Sequence, residues 1–207
     1  MKKKYNISVS RLFNPSPRIL LQCKTIKNNI INNKGNLIMI THITNKQKRS
    51  ELSVNLAVDI ALDGYKVLII DADFQNKLLT NIFTKKTNKG FLDAIFCSES
   101  CINEYVQKSN LDNLYFLPIG NLRKEIRFIY TDKKLENFID IVKKSFDFIF
   151  VDASSVLYSS ETQTLITKAD SCILAIDKVK TSKNEIEEVV EFLLGVKEVE
   201  LGTVLLD

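Results

Sequence analysis

Short apolar runs alternate with segments of helical periodicity along most of the chain. Between residues 37 and 73, an apolar run (Leu37–Thr41) precedes a polar loop, a helix-patterned segment (Glu51–Leu62), a turn at Asp63-Gly64 and a second apolar run. Short continuous apolar runs are typical of buried strands, and apolar residues at helical spacing are typical of packed helices. The pattern therefore predicts a strand, a loop, a helix and a second strand.

The same alternation continues through the rest of the chain. It predicts further helices at residues 18–31, 77–83, 135–144, 161–168 and 183–194, and further strands at 114–118, 148–152, 172–176 and 199–206. Strands that alternate with helices predict an α/β fold, with a mainly parallel sheet flanked by helices and joined by right-handed crossovers.

The length of the chain is that of one domain. Its 207 residues are enough for one substantial core. The turn-forming sequence Asn14-Pro15-Ser16-Pro17 predicts that residues 1–17 are a basic extended arm ahead of a single domain at 18–207. No apolar run approaches the roughly 18 residues that span a bilayer, and no secretory signal follows Met1, so the sequence predicts a cytoplasmic protein.

Charge is distributed unevenly along the chain. Residues 1–50 carry eleven Lys or Arg and no Asp or Glu, which leaves 18 basic against 25 acidic residues in the remainder. This basic first quarter could hold the protein at an anionic membrane surface, at the inner face of the cell membrane, or could attract nucleic acid. Alternatively, it pairs with the acidic part of the same chain.

The cysteines give no metal-binding pattern. Cys23, Cys97, Cys101 and Cys172 are scattered, and His42 is the single histidine of the chain. We expect reduced cytosolic thiols, although the spacing of Cys97 and Cys101 could bring two thiols together on one helical turn.

The candidate chemistry lies around the first strand–loop–helix–strand unit. At such a loop, phosphate-binding proteins carry G-x-x-x-x-G-K-[ST], whose glycines let backbone amides face phosphate oxygens. Here the loop contains no glycine. Asp71, Asp73 and Asp152 follow or end predicted strands, where they could form a site or cap neighbouring loops.

The chain resembles the cytoplasmic kinase domain of the bacterial tyrosine kinases that control capsule and exopolysaccharide synthesis, relatives of partitioning and cell-division-site ATPases. The resemblance is carried by residues 41–57, by KVLIIDAD at 66–73 and by DFIFVD at 147–152. It implies a P-loop NTPase fold of the partitioning-ATPase type and ATP-dependent phosphotransfer to tyrosine. It also implies that Asp71 is general base or metal ligand, that Asp73 supports the metal site, and that Ser50, Asp71 and Asp152 hold magnesium.

The departures from the family pattern concentrate in the phosphate loop. Lys46 and Lys48 replace its glycines, Arg49 replaces its lysine, Ser50 is retained and Glu51 replaces a threonine. Side chains at left-handed positions cost about 1–2 kcal/mol each, so we expect no Mg-ATP binding or weak binding. With Thr44-Asn45-Lys46-Gln47 fitting a capping box, we hypothesise that the helix begins near Thr44 and occupies the phosphate site.

The sequence therefore favours a degenerate, pseudokinase-like family member with little or no phosphotransfer, acting as a regulatory or binding subunit in polysaccharide synthesis or export. The resemblance implies as partner the membrane adaptor of export or an intact kinase paralogue. Leu21, Lys24 and Lys27 stand where the family has E-x-x-R-x-x-R, which argues against a salt-bridged homo-oligomeric ring. One alternative is an active kinase in which Lys46, Lys48 and Arg49 hold the phosphates; another is a degraded partitioning-type ATPase that binds DNA.

Overall fold

The structure, a computed structural model, describes residues 17–44, 46–83, 89–98, 101–121, 133–196 and 199–206. The strands are β1 (Leu37–His42), β2 (Val67–Ala72), β3 (Gln107–Lys108), β4 (Leu114–Leu117), β5 (Phe148–Ala153), β6 (Ser171–Asp177) and β7 (Glu200–Leu206). The helices are α1 (Pro17–Asn32), α2 (Lys46–Leu62), α3 (Leu78–Phe83), α4 (Phe91–Ala94), α5 (Ile102–Tyr105), α6 (Lys133–Ser145), α7 (Ser160–Ile166) and α8 (Lys183–Gly195). The predicted arm, apart from Pro17, lies outside the described residues.

The strands form one sheet in the order β3-β4-β2-β5-β1-β6-β7. Every neighbouring pair is parallel except β3 and β4, which are antiparallel. The predicted fold class is therefore confirmed. Because β1, β2 and β5 are buried along their whole length, their sequences are continuous apolar runs rather than alternating ones.

Helices cover both faces of the sheet. Successive strand residues point to opposite faces, so Ile38 and Ile40 pack in one apolar cluster and Leu37 and Met39 in the other. The first cluster lies under α1, α2 and α3, and the second lies under α4 to α8. The crossover from β1 through α2 to β2 uses the first layer, and the crossovers from β4 through α6, β5 through α7 and β6 through α8, which run in the opposite sense, use the second, as right-handed connections require.

Several predicted boundaries shift by one residue. The helix α1 begins at Pro17, where the fixed φ of proline suits a first helical position. The helix α3 begins at Leu78 rather than Lys77, because Lys77 has a φ of 51°. The short elements α5 and β3 were not predicted, since four and two residues are too few to show a period.

The structure brings Cys97 and Cys101 together, with Cα atoms 6.0 Å apart, as their four-residue spacing allowed. That their thiols are reduced stays a prediction. Cys23 and Cys172 are free and buried, and burial raises the pKa of each thiol to about 12. Among the described residues, no helix has both the length and the apolarity to cross a membrane.

Candidate functional site

The predicted aspartates meet at the carboxyl edge of the sheet. Asp71 on β2 lies beside Asp152 on β5 in the strand register, and Ile40 on β1 lies on the other side of Asp152. Asp73 follows β2 directly. All three carboxylates are buried, with no exposed surface. Parallel strands end at one edge of the sheet, and this brings together acidic side chains that are far apart in sequence.

The predicted polar loop after β1 is helical from Lys46 onward. The helix α2 begins at Lys46, which confirms the hypothesis that it starts near Thr44. Thr44 Oγ1 lies 2.8 Å from Thr181 Oγ1, in the loop after β6. The side chain of Gln47, the other half of the predicted capping box, lies outside the described part of the chain. Arg49 and Ser50 are therefore in the first turns of a helix.

Arg49 is the central side chain of the site. Its exposed fraction is 0%, as are those of Asp73 and Asp152. Its Nε donates to Asp152 Oδ1 at 2.9 Å and its Nη2 donates to Asp152 Oδ2 at 2.9 Å. The same Nη2 donates to Asp73 Oδ2 at 3.1 Å. The planar guanidinium thus holds one carboxylate with two hydrogen bonds and bridges it to a second.

The remaining donors of Arg49 are also used. Its Nη1 lies 3.0 Å from His42 Nδ1 and donates to the carbonyl oxygen of Ala153. Its Nη2 also lies 2.9 Å from Ser50 Oγ, so the two hydrogens of Nη2 are shared among Asp152, Asp73 and Ser50. Because a guanidinium can only donate, His42 Nδ1 is the acceptor in this contact. Arg49 therefore links α2 to the ends of β1, β2 and β5.

Serine hydroxyls complete the hydrogen bonding of both carboxylates. Asp152 accepts from Ser50 Oγ and from Ser53 Oγ, each at 2.7 Å. Asp73 accepts from Ser154 Oγ at 2.8 Å. Sequence reasoning missed Ser53, although its position three residues after Ser50 places both on one face of the helix.

Asp71 has a different environment. Its Oδ1 accepts the amide of Asp73 at 3.0 Å, and its Oδ2 accepts the amide of Thr80 at 2.7 Å. Burial, together with the charge of Asp152, raises the pKa of Asp71 to about 6, against the effect of these amides. Asp71 thus fixes the loop after β2 and the start of α3.

The charges of Arg49 and Asp73 stabilise each other. Burial alone would lower the pKa of Arg49, but the carboxylates of Asp152 and Asp73 outweigh it and raise that pKa above its ordinary value. Burial would raise the pKa of Asp73, but the Arg49 charge and the hydroxyl of Ser154 outweigh it and lower that pKa. Both groups are therefore ionised at neutral pH.

Lys48, another basic residue of the predicted phosphate loop, lies beside a different carboxylate. Lys48 Nζ lies 4.0 Å from Asp177 Oδ2, at the end of β6. The side chain of Lys46 lies outside the described residues. Among the described side chains that were predicted to bind phosphate, Arg49 and Ser50 contact Asp73 or Asp152, whereas Lys48 does not.

The donor set does not fit a magnesium ion in this arrangement. Magnesium needs several carboxylate, hydroxyl or phosphate oxygens, but Asp152 and Asp73 are bonded to a cation of the protein itself. Within the described ranges, no three His, Cys, Asp or Glu side chains converge to hold a metal. The predicted metal set of Ser50, Asp71 and Asp152 is therefore used for internal hydrogen bonds.

Comparison with known proteins identifies the family of this chain. A family model described as an AAA domain matches residues 30–201. The chain belongs to this family. Among curated relatives of this AAA-domain chain, the tyrosine-protein kinase YwqD of Bacillus subtilis is 27% identical, over 89% of this chain and 79% of the relative. The tyrosine-protein kinase CpsD of Streptococcus pneumoniae serotype 4 is 23% identical, over 83% and 76%.

Solved structures show the same fold. The chimerical protein CapA2B2 matches with a TM-score of 0.81 and 23% identity, over 92% of this chain and 84% of that one. The MinC:MinD cell division complex of Aquifex aeolicus matches with a TM-score of 0.65 and 18% identity, over 82% and 68%. The AAA-domain chain thus has the P-loop NTPase fold of bacterial tyrosine kinase domains and MinD-like ATPases, as the sequence predicted.

Proposed function

We propose that this chain is a pseudokinase-like member of the capsular and exopolysaccharide tyrosine kinase family, which acts as a regulatory or binding subunit without phosphotransfer. One observation carries the proposal. The buried guanidinium of Arg49 is ion-paired with both Asp73 and Asp152, the carboxylates that the family resemblance assigns to the magnesium site. The protein itself thus supplies a positive charge where a magnesium ion would bring one.

The backbone around Arg49 supports the same conclusion. The loop has no glycine from Thr41 to Glu51, and its residues from Lys46 onward are helical. From Ser50 onward the amides of α2 bond to carbonyls four residues earlier, and the amides of its first turn point along the helix axis rather than around a phosphate chain. Glu51 adds a negative charge close to the position where a triphosphate would lie, which disfavours nucleotide further.

A binding role needs a partner rather than a substrate. We propose the membrane adaptor of polysaccharide export or an intact kinase paralogue. Lys27, which stands at a ring-forming position of the family, bonds instead to Asp59 at 3.0 Å and to Asp63 at 2.9 Å within the chain. This internal pairing agrees with the prediction that the chain does not form the homo-oligomeric ring.

Attraction of residues 1–50 to an anionic membrane surface stays a prediction, as does a cytoplasmic location. The structure weakens the attraction, because Arg49 is buried and Lys27 and Lys48 lie against carboxylates of the same chain. Sedimentation with anionic vesicles at low and high salt tests it, and retention on DNA under the same conditions tests the nucleic-acid alternative.

Thermal unfolding with Mg-ATP tests the proposed loss of nucleotide binding, without which there is no phosphotransfer. A ligand at a hundredfold excess over its Kd would stabilise the folded state by about 2.7 kcal/mol and raise Tm. Because we propose that nucleotide does not bind, we expect no increase in Tm at millimolar Mg-ATP. A variant that restores the family loop, with Lys46→Gly, Lys48→Gly, Arg49→Lys and Glu51→Thr, should gain an increase in Tm.

The matched control is Arg49→Lys alone, which removes the guanidinium that holds Asp152 with two hydrogen bonds but keeps the glycine-free helix. Its Tm should not increase with Mg-ATP. An ATP-dependent shift in the unaltered chain contradicts the proposal. So does transfer of radiolabel from ATP to tyrosine that Asp71→Asn abolishes, which is the outcome expected of an active kinase.

A further inference from the structure

Two of the four cysteines are neighbours in the structure. Cys97 follows α4 and Cys101 precedes α5, and their Cα atoms are 6.0 Å apart. Residues that are joined by a disulfide usually have Cα atoms about 4.4–6.8 Å apart, with side chains that face each other as these do. The backbone therefore allows a disulfide between them without a change in the positions of α4 and α5.

The four cysteines fall into two classes by exposure. Cys97 and Cys101 are each partly exposed, so small molecules in solution can approach them. Cys23 and Cys172 are 2% and 0% exposed, and burial raises the pKa of each thiol to about 12. The thiolate is the form that attacks a disulfide, and it must be accessible to do so. The chain therefore has one accessible pair of cysteines and two buried thiols of low reactivity.

The fold also accommodates the reduced form of the accessible pair. Cys101 Sγ lies 3.2 Å from the carbonyl oxygen of Ser98, to which a thiol at this position can donate. The amide of Cys101 donates to the same carbonyl oxygen at 3.0 Å, so a backbone hydrogen bond already holds the turn between α4 and α5. Because this turn does not need a disulfide to form, the same fold is compatible with two thiols and with a disulfide.

The pair lies between two attachments of the chain to β4. On one side of it, the amide of Phe91 in α4 donates to the carbonyl oxygen of Pro118, directly after β4, at 2.7 Å. On the other side, α5 leads into β3, where Gln107 pairs with Phe116 of β4. The helix α5 has only four residues, too few for a helix that is stable by itself. A covalent bond across the pair would therefore restrain α5 against α4.

We propose that Cys97 and Cys101 form a redox-active pair, which low-molecular-weight disulfides such as oxidised glutathione convert to a disulfide that restrains α5, and which the corresponding thiol reduces again. The thiolate of one cysteine attacks the small disulfide, whose S–S bond breaks, so that a mixed disulfide forms and one small thiol leaves. The thiolate of the other cysteine then attacks the protein sulfur of the mixed disulfide, and the second small thiol leaves. Two protons and two electrons thus pass from the cysteines to the small disulfide.

Mass spectrometry of the full chain in glutathione buffers tests the exchange, which does not depend on the proposed function. Because no Lys or Arg lies between Lys89 and Lys108, trypsin releases both cysteines of the pair in one peptide, residues 90–108. After treatment of the folded chain with iodoacetamide, we expect this peptide to be alkylated at both cysteines in reduced glutathione. In oxidised glutathione it should lack both alkyl groups and two hydrogens, and a return to reduced glutathione should restore the alkylated form. Cys23 and Cys172 are the internal control and should resist alkylation until the chain is unfolded.

Single-cysteine variants distinguish a cooperating pair from two separate thiols. In Cys97→Ser and in Cys101→Ser, no second thiol of the pair remains, so a mixed disulfide with glutathione should persist that the unaltered chain resolves. Persistent glutathione adducts on the unaltered chain would overturn the proposal, as would alkylation of both cysteines in oxidised glutathione. A disulfide that reduced glutathione fails to open would also overturn it, because the bond would then be a permanent cross-link.

Amide hydrogen exchange, followed by NMR, measures the restraint on α5. The amide of Val106 donates to the carbonyl oxygen of Ile102 at 3.3 Å across this helix. It should exchange about threefold or more slowly in the disulfide form than in the thiol form, because the cross-link limits the opening of α5. The control is the amide of Lys168, which donates to Leu165 O at 3.0 Å after α7 and should exchange equally in both forms. Equal exchange of the Val106 amide in both forms would overturn the proposed restraint.

Discussion

At the scale of single residues, the site is explained by the difference between arginine and lysine. A lysine ammonium is a compact charge that can donate to phosphate oxygens, whereas the guanidinium of Arg49 is a planar fork that fits a carboxylate. In this chain the fork meets Asp152 through two nitrogen atoms and Asp73 through one of them. One substitution at the lysine position therefore supplies both a cation and the geometry that holds it inside the protein.

Loss of Arg49 should destabilise the fold strongly. Arg49→Met leaves Asp73 and Asp152 buried without a cation, and breaking a buried ion pair on one side typically costs about 3–5 kcal/mol. Denaturant unfolding monitored by circular dichroism measures this change. The control is Lys48→Ala, one residue away, whose ion pair with Asp177 spans 4.0 Å and whose loss should cost about 1 kcal/mol or less.

An Arg49→Met protein as stable as the unaltered chain would contradict this assignment. It would mean that protons, rather than the guanidinium, balance the two carboxylates. The free energy of unfolding of Arg49→Met, measured at several pH values, would then fall as pH rises and the carboxylates lose their protons.

The raised pKa of Asp71 predicts a pH dependence of stability. Its pKa is about 6 in the folded protein and about 3.9 in an unfolded chain, so the folded state binds more protons between pH 4 and 6. The stabilising contribution of the protonated form is therefore lost as pH rises through this range, by about 3 kcal/mol at most. Asp71→Asn stays neutral and should lack this loss.

The measurement is the difference in unfolding free energy between the unaltered chain and Asp71→Asn from pH 4 to pH 7. Relative to the variant, the unaltered chain should become less stable as pH rises. A difference that does not change with pH would contradict the raised pKa. The lowered pKa of Asp73 acts in the opposite sense and below pH 4, outside the range measured.

At the scale of elements, the sequence predicted the helices and strands that have clear periods, and the early start of α2. It predicted that Asp71, Asp73 and Asp152 lie at strand ends, because apolar runs stop at them. It could not predict that Arg49 turns inward, since the helical position of a residue does not fix whether its charge faces solvent or a carboxylate from another strand. Ser53 and Ser154 were missed for the same reason.

The contact of α4 with the end of β4 gives a prediction about a glycine. Gly90 precedes α4, and a Cβ atom there would lie 2.0 Å from the carbonyl oxygen of Pro118. That oxygen also accepts the amide of Phe91 at 2.7 Å. Gly90→Ala must therefore displace α4 from the sheet and should cost about 1–3 kcal/mol or more, measured by denaturant unfolding.

The matched control is Gly195→Ala at the end of α8, where an added Cβ meets no atom within 4 Å. Alanine in a helix is favoured over glycine, so this change should be neutral or stabilise by up to about 1 kcal/mol. Equal effects of the two substitutions would show that the close approach at Gly90 does not limit packing.

At the scale of the whole molecule, the fold was more predictable than the site. The order of alternating strands and helices, with the right-handed rule, restricts the topology, and the apolar runs mark the central strands. The site depends on three loops and a helix that meet at one edge, with contacts between residues about 100 positions apart, such as that of Arg49 and Asp152. Such contacts leave no local pattern in the sequence.

The single sheet predicts that both helical layers unfold together. Ile60 on α2 and Val142 on α6 are each fully buried, one in the cluster of the first layer and one in that of the second, and the strands between them belong to both clusters. Ile60→Ala and Val142→Ala should each lower the free energy of unfolding, by about 2–5 kcal/mol for the isoleucine and somewhat less for the valine. Because neither layer can keep its strands without the other, each variant should still show one transition, with the same midpoint by tyrosine fluorescence and by circular dichroism. Two separate transitions in either variant would mean that residues 18–207 contain two folding units rather than the one predicted.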